Sequence, residues 1–521
     1  MMTIEHILAA VGVKSTAKTP QLTRATVTAE QLAPLATRLV SEFHLPLSLL
    51  YATQESPASD FGMHAVFSHV ASHGWLVVST TVPFSKPEYP SLTPTVMAAH
   101  WYERYMQDMF GLKAVGHPDP RRLVHHENVP EGTYPLRKGF AWNTKLDHAD
   151  VPYPMHHVEG EGIYEIPVGP IHAGIIEPGH FRFNVAGERI ITLEGKLFFT
   201  HKGVEKLLEG KTPMEALPFI ERLSGDMAAA NALAFCEAVE AAAGCEVPKP
   251  AQLLRTLLVE LERLTMHIHD LANMGGMGTG FSYVAASGFR IKERLMRLSM
   301  DLFGNRYWRG QILPGGAKRI LSEEEKKQIL TVVKEATEEM QSVLSLAMSS
   351  DAFLERLETT GVLSKAAAIA YGALGVPARA SGVDIDVRRD HPYAAFRSMP
   401  DLVPQIITQT AGDVHARFTM RIEEIKTSMD IVRRLLTEKG SGGVLVPCLA
   451  QNGSGLGAVE SWRGEVLVAV RLKDGKIDRC FPRDPSFCNW ALFGEIGPGN
   501  IVPDFPLCNK SLNLSYSGTD M

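Results

Sequence analysis

No two of the six cysteines are spaced C-x-x-C. Cys236, Cys245, Cys448, Cys480, Cys488 and Cys508 are scattered, which fits reduced thiols and argues against an iron–sulfur cluster or a structural zinc held by this chain. The sequence also lacks an apolar run of the ~18 residues a membrane span needs, so any membrane attachment is expected through partners. A formal net charge of -6 over 521 residues removes the electrostatic case for binding nucleic acid. The opening MMTIEHILAAVGVKS has neither a basic n-region nor a convincing cleavage site, so a cytoplasmic chain without a signal peptide is expected. Internal repeats and low-complexity segments are absent too. The 19 histidines form no metal motif: His69 and His73 share a face only if their segment is helical, and no carboxylate stands nearby.

What is present is a globular composition, 45% hydrophobic and 21% charged, in a chain too long for one core. The pattern predicts an α+β protein of two domains. Residues 1–140 read as a small α/β domain, with a helix over 33–43 that carries Pro34 in its first turn, strands over 47–52 and 75–82, and a helix over 96–110. Its end, 111–140, is an irregular arm rich in Gly, Pro, Arg and His, and its interleaved aromatics suit a grip on a neighbouring domain. Residues 141–157 read as a linker. Residues 158–521 read as a mainly helical domain with a β-meander at its start and a C-terminal β-hairpin turning at Asp474-Gly475. Long helices are expected over 249–274, 322–349 and 412–438.

The alanine-rich stretch 218–244 reads as one central helix whose small side chains let other helices approach closely. Near its start stands Glu221-Arg222-Leu223-Ser224-Gly225-Asp226-Met227. Amides and dipole at a helix start favour anions or electron-rich centres, whereas the ordinary alternative is a packing helix with an exposed polar first turn.

Several stretches carry a resemblance. AAHWYERYMQDMFGLKAVGHPDPRRL with PLRKGF is similar to the 30-kDa-type subunit of respiratory complex I. GPIHAGIIEPGHFRF, HKGVEKLLEG, VELERLTMHIHDL, RASGVDIDVR and GDVHARFTMRIEEI resemble its 49-kDa-type subunit, and more closely the large subunit of group 4 membrane-bound nickel–iron hydrogenases. The resemblance implies a fusion of both modules in a membrane complex. It also implies as partners a small 20-kDa-type iron–sulfur subunit, a ferredoxin-like subunit and antiporter-like membrane subunits. NAD would enter only through partner subunits.

The departures carry as much information. Such hydrogenases hold their metals with two C-x-x-C pairs, one in E-R-x-C-G-x-C and one in D-P-C-x-x-C, because soft thiolates bind nickel and bridge it to iron. The first stretch aligns with 221–227 and the second with Asp484-Pro485-Ser486-Phe487-Cys488-Asn489. Ser224, Met227, Ser486 and Asn489 then fall on the ligand positions, and Cys488 is one residue off register. No nickel–iron centre and no hydrogenase activity are expected. The tail beyond 489 reads as folded, and processing of it is not expected.

By the same resemblance, His180 (or, if the alignment slips, His172) matches the histidine that meets a quinone headgroup. Gly225 stands where the family has a tyrosine, with Asp226 as the adjacent substitute. Arg222 matches an arginine beside the partner's iron–sulfur cluster, and its alternative is an ion pair with Glu221 or Asp226. Glu205 matches a proton-relay carboxylate, and its alternative is a solvent-facing helix charge. Glu177 and Arg182 flank His180 and either set its protonation or pair with each other. Arg379, Asp384, Asp386 and Arg388 read as a buried ion network. Two function classes follow: a redox subunit that passes electrons to an acceptor such as quinone, and a structural or coupling module without chemistry of its own.

Overall fold

The computed structural model describes residues 2–19, 21–171, 176–440, 442–449 and 451–521. The N-terminal domain is a five-stranded sheet: β1 (Ser15–Lys18), β2 (Leu22–Thr26), β3 (Leu47–Gln54), β4 (Phe61–His69) and β5 (Gly74–Val82) in the order β1-β2-β5-β4-β3. Only β2 and β5 run parallel, and α1 (Ala29–Ser41) makes the crossover between the two halves. It buries Leu32, Leu35, Ala36 and Leu39, one helical stripe, and Pro34 is tolerated within its first two turns. His69 ends a strand and His73 lies in the following turn, so the two share no helical face.

Helix α2 (His100–Phe110) buries charge deliberately. Asp108 accepts the amides of Leu123, Val124 and His125, and Arg104 donates to the carbonyls of Arg121 and Arg122. These bonds fasten the irregular arm to its own domain. The arm's far side reaches the second domain through Arg121 to Glu194 and Lys138 to Glu209 and Asp478. Here the expected grip is found.

The second domain opens with the meander β6 (Ile163–Val168), β7 (His180–Ala186) and β8 (Arg189–Lys196), antiparallel with β7 in the middle. Two short helices follow, α3 (Val204–Leu208) and α4 (Pro213–Ile220), then α5 (Ala228–Ala243), α6 (Lys249–Asn273), α7 (Ser282–Phe303) and α8 (Glu323–Met348). Ser322 and Glu325 close a reciprocal capping box at the start of α8. After the short α9 (Gly375–Ala380) and α10 (Val387–Asp390) comes α11 (Val414–Thr437). A three-stranded sheet, β9 (Gly453–Ser461), β10 (Gly464–Lys473) and β11 (Lys476–Arg483), precedes α12 (Tyr516–Asp520). Asp474 and Gly475 both take positive φ, 52° and 74°, which matches the right-handed twist of the β10–β11 hairpin.

The stretch 218–244 is not one helix. The chain breaks between α4 and α5, and 221–227 is a loop. The break is held by side chains that bond away from the helix axis: Glu221 to the Gly310 amide, Ser224 to Ser515 and Asp226 to Arg463. Besides helix α6, a strand approaches the alanines closely. Cβ atoms built on Gly453, Gly455 and Gly457 would lie 2.5, 2.1 and 2.0 Å from the carbonyl oxygens of Ala242, Ala238 and Ala234. Alternate glycines on β9 therefore meet every fourth residue of α5, with no room for a methyl group on the strand.

Candidate functional site

The loop 221–227 separates its residues by side. Glu221, Leu223, Ser224 and Met227 point inward and are buried; Arg222 and Gly225 face outward. Arg222 donates to the Pro218 carbonyl at 2.7 Å rather than pairing with Glu221 or Asp226. Gly225 is exposed, and its carbonyl accepts from Arg309 at 2.9 Å. Room at Gly225 thus opens toward Arg309 and solvent, not into an internal cavity. The amides of the α5 first turn are also taken. Ala229 and Ala230 donate to the Glu262 carboxyl group of α6 at 2.8 and 3.1 Å, so a side chain of the protein itself caps this helix. Burial pushes Glu262 up to about 8 against those two amides.

Facing Ser224 across the site is residue 515. The Ser224 and Ser515 hydroxyls are 3.0 Å apart, and the Ser515 amide donates to Ser486 Oγ at 2.9 Å. Ser486 therefore stands one bond behind Ser515. Asn489 is turned away altogether, with its amide paired to both backbone polar groups of Leu374. Hence the assignment of Ser486 and Asn489 to the second ligand pair is corrected. The stretch that meets Ser224 is Ser515-Tyr516-Ser517-Gly518, which keeps the two-residue gap. A Cβ on Gly518 would point at Asp484 Oδ2 (2.2 Å) and Ser515 Oγ (3.0 Å). The quartet becomes Ser224, Met227, Ser515 and Gly518: two hydroxyls, a thioether and no side chain. It contains no thiolate and does not fit a nickel–iron centre. Among the described residues no group of three or more His, Cys, Asp or Glu side chains converges to hold a metal ion.

A buried arginine that the sequence reading missed fixes the polarity of this nest. Arg463, at the β9–β10 turn, donates to Asp226 at 2.8 and 2.9 Å, to Ser224 at 3.2 Å and to the Asn513 carbonyl at 2.6 Å. Its guanidinium lies 3.8 Å from the Trp462 ring centroid, and the Trp462 indole donates to the Asp226 carbonyl. Burial acts to raise Asp226, but Arg463 outweighs it and holds the carboxyl at about 2. Asp226 is thus an ionised partner of Arg463 and no proton donor at neutral pH, contrary to its expected role as substitute for a tyrosine. Asp484 caps the Ser486 amide with one oxygen, the other has no partner among the described residues, and burial raises it.

His180 begins β7. Its Nδ1 lies 3.3 Å from the Gly169 carbonyl, and its Nε2 is buried without a partner among the described residues. His172 lies outside the described residues. Gly179 packs against Tyr516: a Cβ there would fall 2.4 Å from the ring. Glu177 accepts the Ser517 amide, and Ser517 Oγ donates to the Leu223 carbonyl. Segment 515–517 thus touches the hairpin loop on one side and loop 221–227 on the other. The described part of the hairpin loop and loop 221–227 therefore share this segment. The flanking residues also part company, since Arg182 pairs with Glu165 and Glu177 holds Ser517.

Glu205 is neither solvent-facing nor near Ser224's hydroxyl nest by any bond. It is buried on α3 between the Tyr105 hydroxyl of α2 and Arg479 of β11, and Arg479 also donates to the Ala52 carbonyl of β3. This is a domain-joining ion pair. The expected ion network holds for Arg379, Asp386 and Arg388, which are buried; Asp384 is exposed and pairs with Arg389.

Comparison with known proteins matches this architecture in three parts. Residues 25–145 match the 30 Kd subunit of respiratory-chain NADH dehydrogenase, 202–273 match nickel-dependent hydrogenase, and 276–447 match the 49 Kd subunit of NADH dehydrogenase. Formate hydrogenlyase subunit 5 of Escherichia coli is 33% identical, over 91% of this chain and 84% of that protein. The fused C/D protein of NADH-quinone oxidoreductase from Phocaeicola vulgatus is 30% identical, over 77% of this chain and 80% of that protein. Among solved structures, a chain of the membrane-bound sulfane sulfur reductase, an archaeal respiratory membrane complex, superposes with a TM-score of 0.65 at 25% identity. That match covers 70% of this chain and all of the other. No helix among the described residues is long and apolar enough to cross a membrane.

Proposed function

The chain belongs to the family that joins 30-kDa/49-kDa-type complex I subunits with membrane-bound hydrogenase large subunits, and on that premise we propose that it is the large subunit of a hydrogenase-related, membrane-associated oxidoreductase working without nickel–iron. In this reading electrons arrive from the iron–sulfur cluster of a small 20-kDa-type partner docked beside the exposed Arg222. They leave to an acceptor of the quinone class at His180. A ferredoxin-like subunit, NAD-linked partners and antiporter-like membrane subunits complete the complex, with this chain peripheral on the cytoplasmic face and ion translocation in the membrane subunits.

The observation that supports this reading is the Nε2 of His180, buried without a partner among the described residues. A buried imidazole nitrogen without a partner costs ~1–3 kcal/mol. Because Nδ1 faces the Gly169 carbonyl and so carries a proton, Nε2 donates to an acceptor's oxygen only in the doubly protonated ring. That imidazolium N–H would stabilise the negative charge of a quinone under reduction and then supply one of the two protons it takes up. His180→Ala in the assembled complex is expected to lower turnover by roughly ten- to a thousandfold, the range for one lost donor or general acid. Assembly should be unaffected.

A second reading is favoured by a different observation. The former ligand position is filled by direct bonds of Ser515 and Arg463, which suits a module that couples its partners mechanically and carries no chemistry. Unchanged turnover in the His180→Ala complex would select it.

A further inference from the structure

We propose that the buried charge cluster around Glu460 is a proton-binding site, holding one exchangeable proton on the Glu460 carboxyl. The inference goes beyond the acceptor reading and does not depend on it.

The argument is a charge count. Three guanidinium groups, Arg263 of α6, Arg379 of α9 and Arg388 of α10, meet four carboxyl groups: Glu260 of α6, Asp386 at the start of α10, Glu424 of α11 and Glu460 of β9. Arg379 bonds Glu424 at 2.6 Å and Glu460 at 2.8 Å; Arg388 bonds Asp386 at 2.6 Å; Arg263 bonds Glu260 at 3.3 Å. All seven side chains are buried. Guanidinium keeps its proton under all ordinary conditions, so three positive charges are fixed. An unbalanced charge in so dry a place is costly, and the cluster must find a fourth positive charge or a proton.

Among the described residues, His267 of α6 is the one other candidate in contact. Its Nε2 bonds Glu424 at 2.7 Å, while its Nδ1 is buried with no partner among the described residues. A protonated ring would place an unsatisfied N–H donor there, and burial lowers its proton affinity. His267 is therefore the neutral Nε2–H tautomer. One of the four carboxyls keeps a proton.

Donor counts say which one. Glu424 receives both Arg379 and His267; Asp386 receives a two-nitrogen fork and an amide from Arg388; Glu260 receives Arg263, Ser428 and the more distant Arg388. Glu460 receives one guanidinium nitrogen and the Val387 amide. Across the sheet, Glu465 of β10 stands opposite Glu460 and is neutralised by Arg483; Asp390 is held by Arg389 and accepts the Asp386 amide. Tyr393 touches only the Glu460 carbonyl. Burial, with Asp386 adding to it and Arg379 opposing, brings Glu460 up to about 7.

Its position gives the proton a use. Glu460 is the penultimate residue of β9, whose following turn carries Trp462 and Arg463, which bond to Asp226 and Ser224. One four-residue turn thus connects the proton site to the nest between the two loops.

Infrared spectroscopy of the full chain in its complex, in H2O and D2O from about pH 5 to about pH 9, tests this. The carbonyl band of a protonated carboxyl should be present at the acid end and fade through neutrality. Glu460→Gln should remove that titrating component. Glu260→Gln should also remove it, because the count becomes three against three; it carries the test should Glu460→Gln fail to fold. Absence of a titrating band in the unaltered protein overturns the proposal. So does its persistence in both variants, which would assign the proton elsewhere, for example to Glu262.

Discussion

The Ser224 and Ser515 hydroxyls, 291 residues apart in the chain, lie 3.0 Å apart in the fold. Soft thiolates at these places would suit a metal, whereas the two hydroxyls hydrogen-bond to each other and Ser224 also accepts from Arg463. The place is a packed polar contact.

Metal content follows from that contact. Purified protein should hold nickel far below one atom per chain and show no hydrogen uptake, since hydroxyl and thioether donors do not replace four thiolates. Elemental analysis near one nickel per chain would refute the reading of the quartet.

Asp226 and Arg463 set an acid limb on stability. Asp226 is depressed to about 2, so its contribution is present above the usual carboxylate range and is lost as pH falls toward about 2. Asp226→Asn leaves Arg463 buried beside a neutral amide and should cost about 2–4 kcal/mol at neutral pH, somewhat less than a fully buried pair because Asp226 is partly exposed. Denaturant midpoints for both proteins should converge as the pH is lowered. Parallel curves would show that the pair does not titrate as described.

At the domain junction, Glu205→Gln should leave the Arg479 guanidinium uncompensated and cost about 3–5 kcal/mol. The specific readout is proteolysis: residues 141–157 should be cut faster once the N-terminal domain loosens. Equal cutting rates would show that the arm alone fastens the domains.

Gly457→Ala puts a methyl group 2.0 Å from the Ala234 carbonyl. The strand and α5 must separate, at a cost of about 1–3 kcal/mol or more. Alanine at the exposed Gly225, by contrast, meets only Arg309 at 3.4 Å and should change the melting temperature little. Equal effects at the two glycines would contradict the packing of β9 on α5.

Local chemistry was legible in the sequence wherever the cause was local. The stripe of α1, the serine cap of α8 and the Asp474-Gly475 turn each depend on residues within one or two turns of chain. So does the absence of cysteine between Glu221 and Met227, which by itself excludes half of a thiolate set. The family could be named because many such stretches occur in one order. The break at 221–227 was not legible, because alanine propensity says helix while the bonds that open the loop come from Gly310, Arg463 and Ser515. The second ligand pair was misread for a related reason. Asp484-Pro485 has the expected local spelling, whereas Asn513-Leu514 does not, and only the fold sets Ser515 against Ser224. Likewise, Glu205 reads as an ordinary helix charge until Tyr105 and Arg479, from two other elements, enclose it. Sequence determined which groups this chain can bring to a site; long-range packing, which removes water and selects partners, decided which of them meet.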